Sequence, residues 1–406
     1  MRSLLAGRDV REGMEMLDAH AARLGARPLG AADVLSTLDA SGLRGRGGGG
    51  FPVATKWSAV ASRSVRSRAV LINGAEGEPL SHKDRLLMAA RPHLVLDGAA
   101  IAAETLGADH VVLYVGAAHT AARESMRRAL LERPTEERQR TRFVVAPPRY
   151  VAGEESAAVH CVNDGIALPT NTPPRPFERG IAGNPTLVQN VETLAHVAMI
   201  ARFGSGWFHS IGAGAPGTVL LTVSGAVGTA GVVEVPHGAA VAEAVEAAGG
   251  LSETPQAVLL GGYFGTWMDA RAAWPLQLDA VAMRAAGVTL GCGVVAVLGA
   301  DSCGVLATER VISYLADESA RQCGPCVFGL RAIAEAVQRL AAGIAQLDDL
   351  SRARRWASQL GGRGACSHPD GAARMLLSAL DVFADEFARH EQRRGCSRVH
   401  RTEQAA

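Results

Sequence analysis

Three short apolar runs constrain this chain more than any other feature: "RAVLING" (68–74), "HVVLYVG" (110–116) and "RFVVAPP" (142–148). Each is four to six apolar residues long and stops at Gly or Pro, so each reads as a buried strand. The segments between them, "HLVLDGAAIAAETLGA" (93–108) and "ARESMRRALLERP" (122–134), carry apolar residues at helical spacing. Strands alternating with helices predict an α/β layer built on a mostly parallel sheet. Ligands of such sheets bind beyond the carboxyl ends of the strands. The loops that follow Ile72 and Val145 are therefore where a site is expected.

The rest of the chain changes character twice. Residues 1–40 read as an N-terminal helical segment, and 41–212 as the α/β domain. In 213–302, "GTVLLTVSGAVGTAGVVEVPHG" resembles a hairpin with Gly turns, "AAVAEAVEAAGG" a short helix, and "AVLLGGYFGTWMD" a returning strand. That order suggests a small α+β module of the β-grasp (ubiquitin-like) kind. Residues 303–395 read as a helical bundle, with Val327, Leu330, Ile333, Val337 and Leu340 on one stripe and Leu377, Leu380, Phe383 and Phe387 on another. Residues 396–406 form a polar tail.

With 406 residues, 48% of them hydrophobic, the chain has room for two or three domains at ~100–200 residues each. A net charge of +1, from 41 basic and 40 acidic residues, argues against nucleic-acid binding as the main task. The longest uncharged runs fall short of the ~18–20 residues of a spanning helix or are broken by Gly and Pro, so direct membrane insertion is not expected. The start "MRSLLAGRDVREGM" is charged too early for a signal peptide. The expected place is the cytoplasm, with peripheral docking on a membrane complex allowed. Seven cysteines in that setting point to metal or redox chemistry rather than a disulfide frame.

Candidate chemistry sits in five stretches. "SGLRGRGGGGFPVATKW" (41–57) contains a G-x-G-x-x-G spacing at Gly45, Gly47 and Gly50. The segment before it looks helical, so a dinucleotide-binding turn lacks the strand it needs. Glycines without a Cβ do let backbone approach something flat or charged, and Arg44, Arg46 and Lys56 favour an anion. "NGAEGEPLSHKDR" (73–85) places Asn73, Glu76 and Glu78 at one strand end, and "YVAGEESAAVH" (150–160) places Tyr150, Gly153, Glu154 and Glu155 at another. Solvated turns and a pocket for a phosphate-bearing ring cofactor both fit these loops. Near the carboxyl end, Cys323 and Cys326 of "ADESARQCGPCVFGL" and Cys366 of "GGRGACSHPDG" stand at helix starts, which suits an iron–sulfur cluster or a metal. Cys-Gly-Pro-Cys is also a dithiol redox motif, although no buried strand precedes it here. Cys161, Cys292 and Cys303 read as buried core thiols, and His160 and His196 as isolated structural histidines.

Taken together, "GLRGRGGGGFP..TKW", "NGAEGEP...KDR", "GEESA", "NPTLVQNVETLAHV", "ESARQCGPC" and "GRGAC...DGAA" resemble the NADH-binding, flavin-carrying subunit of respiratory complex I and its relatives in NAD-linked hydrogenases and formate dehydrogenases. The stretches run in the family's order from about residue 40 to 390. The resemblance implies a Rossmann-like flavin- and nucleotide-binding domain, a β-grasp domain and a helical iron–sulfur domain. It implies that Gly45, Arg46, Gly47, Lys56, Asn73, Glu76, Tyr150, Gly153, Glu154, Glu155, Asn190 and Thr193 line FMN. Gly48, Phe51 and Glu78 would face NADH or NADPH. Cys323, Cys326 and Cys366 would ligate a 4Fe–4S cluster. The implied activity is hydride transfer from NAD(P)H to FMN, then electron transfer to a ferredoxin-like or other iron–sulfur redox subunit. A non-catalytic assembly subunit, or a dithiol oxidoreductase using Cys323 and Cys326, are the alternatives.

The chain also departs from that family's pattern. Ala320 stands where the first cluster cysteine belongs. Thr172 and Arg175 of "TNTPPRPF" replace an adenine-site lysine and phenylalanine, and Ala59 replaces a further ring. Ala75 replaces an aspartate, as in the flavin- and NADH-binding subunit of the Rnf ferredoxin oxidoreductases, and Gln189 replaces one of two paired asparagines. The flavin half of the site is the better kept.

Overall fold

The computed structural model describes residues 3–28 and 33–392. The described residues divide into two compact units. The first comprises residues up to 77, 82–220 and 234–239; the second comprises 78–81, 221–233 and 240 onward.

In the first unit, α1 (Leu17–Leu24), α2 (Val34–Ser41) and α3 (Val53–Ala61) precede β1 (Ala69–Gly74). Then come α4 (Lys83–Ala90), α5 (Pro92–Leu106), β2 (His110–Gly116), α6 (Thr120–Glu132), α7 (Thr135–Arg140), β3 (Thr141–Ala146), α8 (Glu155–Asp164), β4 (Thr186–Asn190) and α9 (Val191–Ser210). The strands form one parallel sheet in the order β3-β2-β1-β4. The three apolar runs are thus strands as expected. The fourth, "TLVQN", was not read from the sequence, because Gln and Asn interrupt its apolar pattern. Val70, Leu71, Ile72, Leu113, Tyr114 and Val115 are fully buried in this sheet. Helix α5 is mostly apolar and buried over nearly its whole length. It packs on α9 so closely that a Cβ on Gly98 would lie 2.0 Å from the Leu194 carbonyl oxygen. Asn73 and Asn190 are register partners at the carboxyl ends of β1 and β4.

The second sheet has the order β6-β5-β9-β7-β8, with β5 (Thr218–Gly225), β6 (Gly231–Pro236), β7 (Pro255–Leu260), β8 (Thr266–Asp269) and β9 (Val294–Gly299). Helix α10 (Val241–Ala247) follows β6, and α11 (Ala270–Ala273) and α12 (Ala280–Ala285) precede β9. The segment read as one returning strand is two, β7 and β8, an antiparallel pair. Gly261 and Gly262 turn the chain there at φ +93° and +90°, values that favour glycine. Strand β9 pairs parallel with β5 and antiparallel with β7.

Beyond it the chain is helical: α13 (Gly304–Asp317), a π-helical turn at Pro325–Leu330, α14 (Arg331–Ala341), α15 (Asp349–Leu360), α16 (His368–Val382) and α17 (Ala384–Glu391). The wider π turn rotates the start of the expected stripe, so Val327 is exposed while Leu330, Ile333, Val337 and Leu340 are buried. Phe383 and Phe387 are buried as expected, and Leu377 is half-buried. Among the described residues no single helix is long and apolar enough to cross a membrane.

Candidate flavin and iron–sulfur sites

The glycine loop is closed by backbone bonds. The Gly45 N–H donates to the Phe51 carbonyl at 2.9 Å, and the Val53 N–H to the Leu43 carbonyl at 3.0 Å. Gly48 and Gly50 sit at φ +107° and +57°, which explains glycine at both. A Cβ on Gly47 would come within 3.0 Å of the Asn190 Cβ, whereas one on Gly49 or Gly50 would meet nothing within 4 Å. One face of the loop thus rests on the N-terminus of α9 and the other is open. The Arg46 N–H donates to Thr193 Oγ1 at 2.9 Å, which pins the loop to the first turn of α9. The Arg46 side chain turns inward: its guanidinium is buried, donates to the Thr218 carbonyl and lies 4.0 Å from Glu192. Only its backbone is presented to the loop.

The two strand-end loops meet beside it. Asn73 Nδ2 donates to the Gly153 carbonyl at 2.8 Å. A Cβ on Gly77 would lie 2.6 Å from the Tyr150 carbonyl oxygen, so backbone touches backbone there. Tyr150 and Gly153 bound a short 3-10 turn.

Three of the expected site residues hold helix N-termini. Glu76 accepts from the Asp84 and Arg85 N–H groups of α4 at 2.8 and 2.9 Å. Glu154 accepts from the Ser156 and Ala157 N–H groups of α8 at 3.0 and 2.9 Å. Asn190 Oδ1 accepts from the Glu192 and Thr193 N–H groups of α9 at 3.0 and 3.3 Å. Side-chain oxygens at these positions satisfy helix donors that otherwise lack partners. Lys56 Nζ lies 3.0 Å from Glu155 Oε2, and Arg175 Nη1 lies 3.7 Å from Glu155 Oε1. Phe51 is 54% exposed. The loop glycines and the Lys56 charge are groups that fit a flat ring carrying a phosphate.

Glu78 is placed with the second unit. Its buried carboxylate accepts from the Tyr263 N–H at 2.8 Å. A Cβ on Gly262 would lie 2.7 Å from that carboxylate.

The sequence did not single out the charged groups under the loop. Lys83 Nζ lies 2.7 Å from Asp84 Oδ1 and 2.8 Å from Glu192 Oε2, and all three residues are buried. His196, expected to be isolated, stands 3.7 Å from Glu192. Burial opposes the Lys83 charge, but Asp84 and Glu192 overcome it and raise its proton affinity above the usual lysine range. Burial likewise opposes the Glu192 charge, but Lys83, His196 and Arg46 hold its carboxyl down at about 2. The available signal was the Lys-Asp-Arg run that opens an otherwise apolar helix.

In the second unit, Cys326 is buried and feels both Cys323 and Cys366. Burial, then those two cysteines, push its thiol up to about 12. Burial also works to raise Cys323, but backbone donors at Ala365 and Cys326 and the Cys326 thiol lower it. Among the described residues no group of three or more His, Cys, Asp or Glu converges closely enough to hold a metal ion. Ala320 is buried in the position of the absent cysteine, and the neighbouring Ser319 hydroxyl is buried without a hydrogen-bond partner. Three thiols are one short of the usual four-thiolate set. Cys161 and Cys303 are buried as expected, while Cys292 is half-buried.

Residues 38–199 match the Nuo51 FMN-binding domain, 220–262 the SLBB domain, and 306–390 the NADH-ubiquinone oxidoreductase-F iron-sulfur binding region. The second F-type NADH-quinone oxidoreductase subunit of Rhizobium meliloti is 32% identical over 378 residues, covering 90% of each chain. The chain belongs to the family of F-type NADH-quinone oxidoreductase subunits. The F-type subunit of Escherichia coli is 31% identical over 372 residues, covering 87% of this chain and 83% of its own. The NADP-reducing hydrogenase subunit HndC of Solidesulfovibrio fructosivorans is 28% identical, covering 90% and 77%. The crystal structure of an air-oxidized NAD+-reducing NiFe hydrogenase aligns with TM-score 0.80 at 30% identity, over 89% of this chain. This chain spans 62% of the length of that hydrogenase chain.

Proposed function

We propose that this family member is a flavoprotein electron-transfer subunit that takes a hydride from NADH or NADPH and passes electrons to an iron–sulfur partner, a ferredoxin-like protein or a component of a larger redox complex. The observation that carries this is the convergence of the glycine loop, the 73–77 loop, the 150–155 turn and the α9 N-terminus, within the segment matching an FMN-binding domain. FMN, when bound, supplies the hydride acceptor and the one-electron donor. The chain's own residues supply the rest. Gly45, Gly47, Gly48 and Gly153 leave room for a ring. Asn73, Glu76, Glu154, Asn190 and Thr193 fix the surrounding loops. The Arg46 backbone anchors the glycine loop, and Lys56 with Glu155 and Tyr150 borders it. Phe51 and Glu78 are proposed for the nucleotide. The layout we assign is a helical segment (1–40), a Rossmann-like flavin domain (41–212), a β-grasp domain (213–302) and a helical iron–sulfur-type bundle (303–395); the tail expected at 396–406 lies outside the described residues. Cys323, Cys326 and Cys366 are, among the described residues, one thiolate short of the usual set for a cluster.

The Cys-Gly-Pro-Cys sequence at 323–326 is the basis of a second reading, a dithiol oxidoreductase. The absorption spectrum of the purified protein tests the first. Bands at about 450 nm that bleach with NADH or NADPH are expected. A protein that stays colourless after incubation with FMN would sink the flavin reading and leave the assembly-subunit and dithiol alternatives.

A further inference from the structure

Asn190 is held from two sides. Its Oδ1 accepts the two α9 N–H groups, which fixes the amide's orientation, so its Nδ2 is the donor toward Asp84 Oδ2 at 2.7 Å. The other Asp84 oxygen, Oδ1, faces the Lys83 ammonium at 2.7 Å. Both neighbours of the Asp84 carboxylate are therefore donors with nothing to accept a proton. A proton on Asp84 must displace one of them. Lys83 is held charged by Glu192 at 2.8 Å and makes the stronger, charge-assisted bond. The proton therefore goes to Oδ2 and breaks the bond to Asn190. The new O–H then faces the freed amide, and turning that amide to offer it Oδ1 surrenders the α9 cap. Gly47 rests directly on this side chain.

We propose that Asp84 is a positioning residue for the flavin loop: ionised, it locks Asn190 under Gly47, and protonated, it releases Asn190 and the floor of the loop. The link to flavin rests on the function proposed above; the latch itself does not. The surroundings place its titration in the working range. Burial raises Asp84, Lys83 opposes, and Glu76 and Glu192 add to the rise, which together push it up to about 7. Lys83 faces it from its own helix and Glu192 from α9, with Arg46 and His196 against the far side of Glu192. Glu76 faces it from the loop after β1, paired with Arg85 at 3.1 Å and sensed by His119.

Two measurements on the full chain test this between pH 6 and 8. Hydrogen exchange of the first turn of α9, corrected for intrinsic rates, should lose about five- to tenfold protection toward pH 6, the worth of one side-chain cap. Asp84→Asn should show the low protection at both ends. FMN titration should weaken by a similar factor in the wild type over the same range. The phosphate of FMN titrates at about 6 on its own account, so the comparison is with Asp84→Asn, which should keep only that dependence. Wild-type protection that does not change with pH overturns the latch even where the variant fails to fold. Changing protection with the same FMN profile in both proteins overturns its coupling to the loop. Changing protection in a protein that takes up no FMN at any pH supports the latch and overturns the flavin reading.

Discussion

Gly47 and Asn190 are in contact across the loop–helix junction: a Cβ on the glycine would stand 3.0 Å from the asparagine Cβ. Asn190 cannot move aside, because its amide is tied to α9 and to Asp84. The backbone aims that Cβ at Asn190, so Gly47→Leu must lift the loop off α9 and displace the surface proposed for the ring. The expected outcome is a folded protein that retains no flavin, read from the ratio of flavin to protein absorbance. Full flavin occupancy in Gly47→Leu would show that the ring lies elsewhere.

The nucleotide side lacks its expected partners. Thr172, Arg175 and Ala59 replace residues that the family resemblance assigns to the adenine, and lost ring contacts cost ~0.5–1.5 kcal/mol each. NADH should therefore bind more weakly than to relatives that keep those rings. The Arg175 side chain is 60% exposed, and Glu155, 3.7 Å from its guanidinium, is already paired with Lys56. It is a suitable partner for a 2′-phosphate. Parallel titrations of flavin bleaching should favour NADPH, and Arg175→Ser should abolish the preference. Tight NADH binding without preference would defeat this.

The sheet of the first unit was legible because buried parallel strands leave unbroken apolar runs, as in "VLI" and "VVLYV". Strand β4 was not, because Gln189 and Asn190 carry polar work there: Gln189 accepts from the buried Trp57 indole at 3.3 Å, and Asn190 caps α9. The site loops could be found from their glycines and carboxylates. The direction of those side chains could not, since spacing does not say whether Glu76 points to a ligand or to the N-terminus of α4. Arg46 shows the same limit. A basic residue among glycines reads as an anion ligand, yet its side chain lies inside beside Glu192.

Asp97 sets the acid stability of the first unit. It is buried on α5 and receives Arg133 Nη2 at 2.6 Å, His20 Nε2 at 2.9 Å and Arg202. Burial opposes its charge, but His20, Arg133 and Arg202 hold it well below the usual carboxylate range. Glu15 nearby is likewise opposed by burial but held at about 2 by Arg23 and His20. Depressed carboxylates contribute stability that is complete above their unfolded values, about 4, and is lost as pH falls through the folded ones. His20 runs the other way. Burial opposes its charge, but Asp97 and Glu15 raise its proton affinity, so its share is lost as pH rises through that raised value. Removing one partner from such a cluster costs ~3–5 kcal/mol. Asp97→Asn should lower the unfolding free energy by that amount at pH 7, read as a lower denaturation midpoint, and flatten the fall of the midpoint between pH 4 and 2. An unchanged midpoint would mean that Asp97 does not anchor the unit.

Ala320 gives the sharpest test of the second unit. The residues present offer three thiols, and a 4Fe–4S centre normally takes four thiolates. Ala320 cannot ligate iron. Ser319 brings a buried hydroxyl without a hydrogen-bond partner, a weaker donor for iron than a thiolate. Cys396, a further candidate, lies outside the described residues. The purified wild type should therefore carry little iron, or lose it on dilution or on exposure to air. Ala320→Cys restores the fourth thiol at a buried position next to the Cys323–Cys326 helix start. After anaerobic reconstitution, the variant should bind more iron and sulfide per chain than the wild type and hold them longer on dilution. A wild type that already carries four irons per chain, unaltered by Ala320→Cys, would mean that another group completes the set and that Ala320 marks no gap in it.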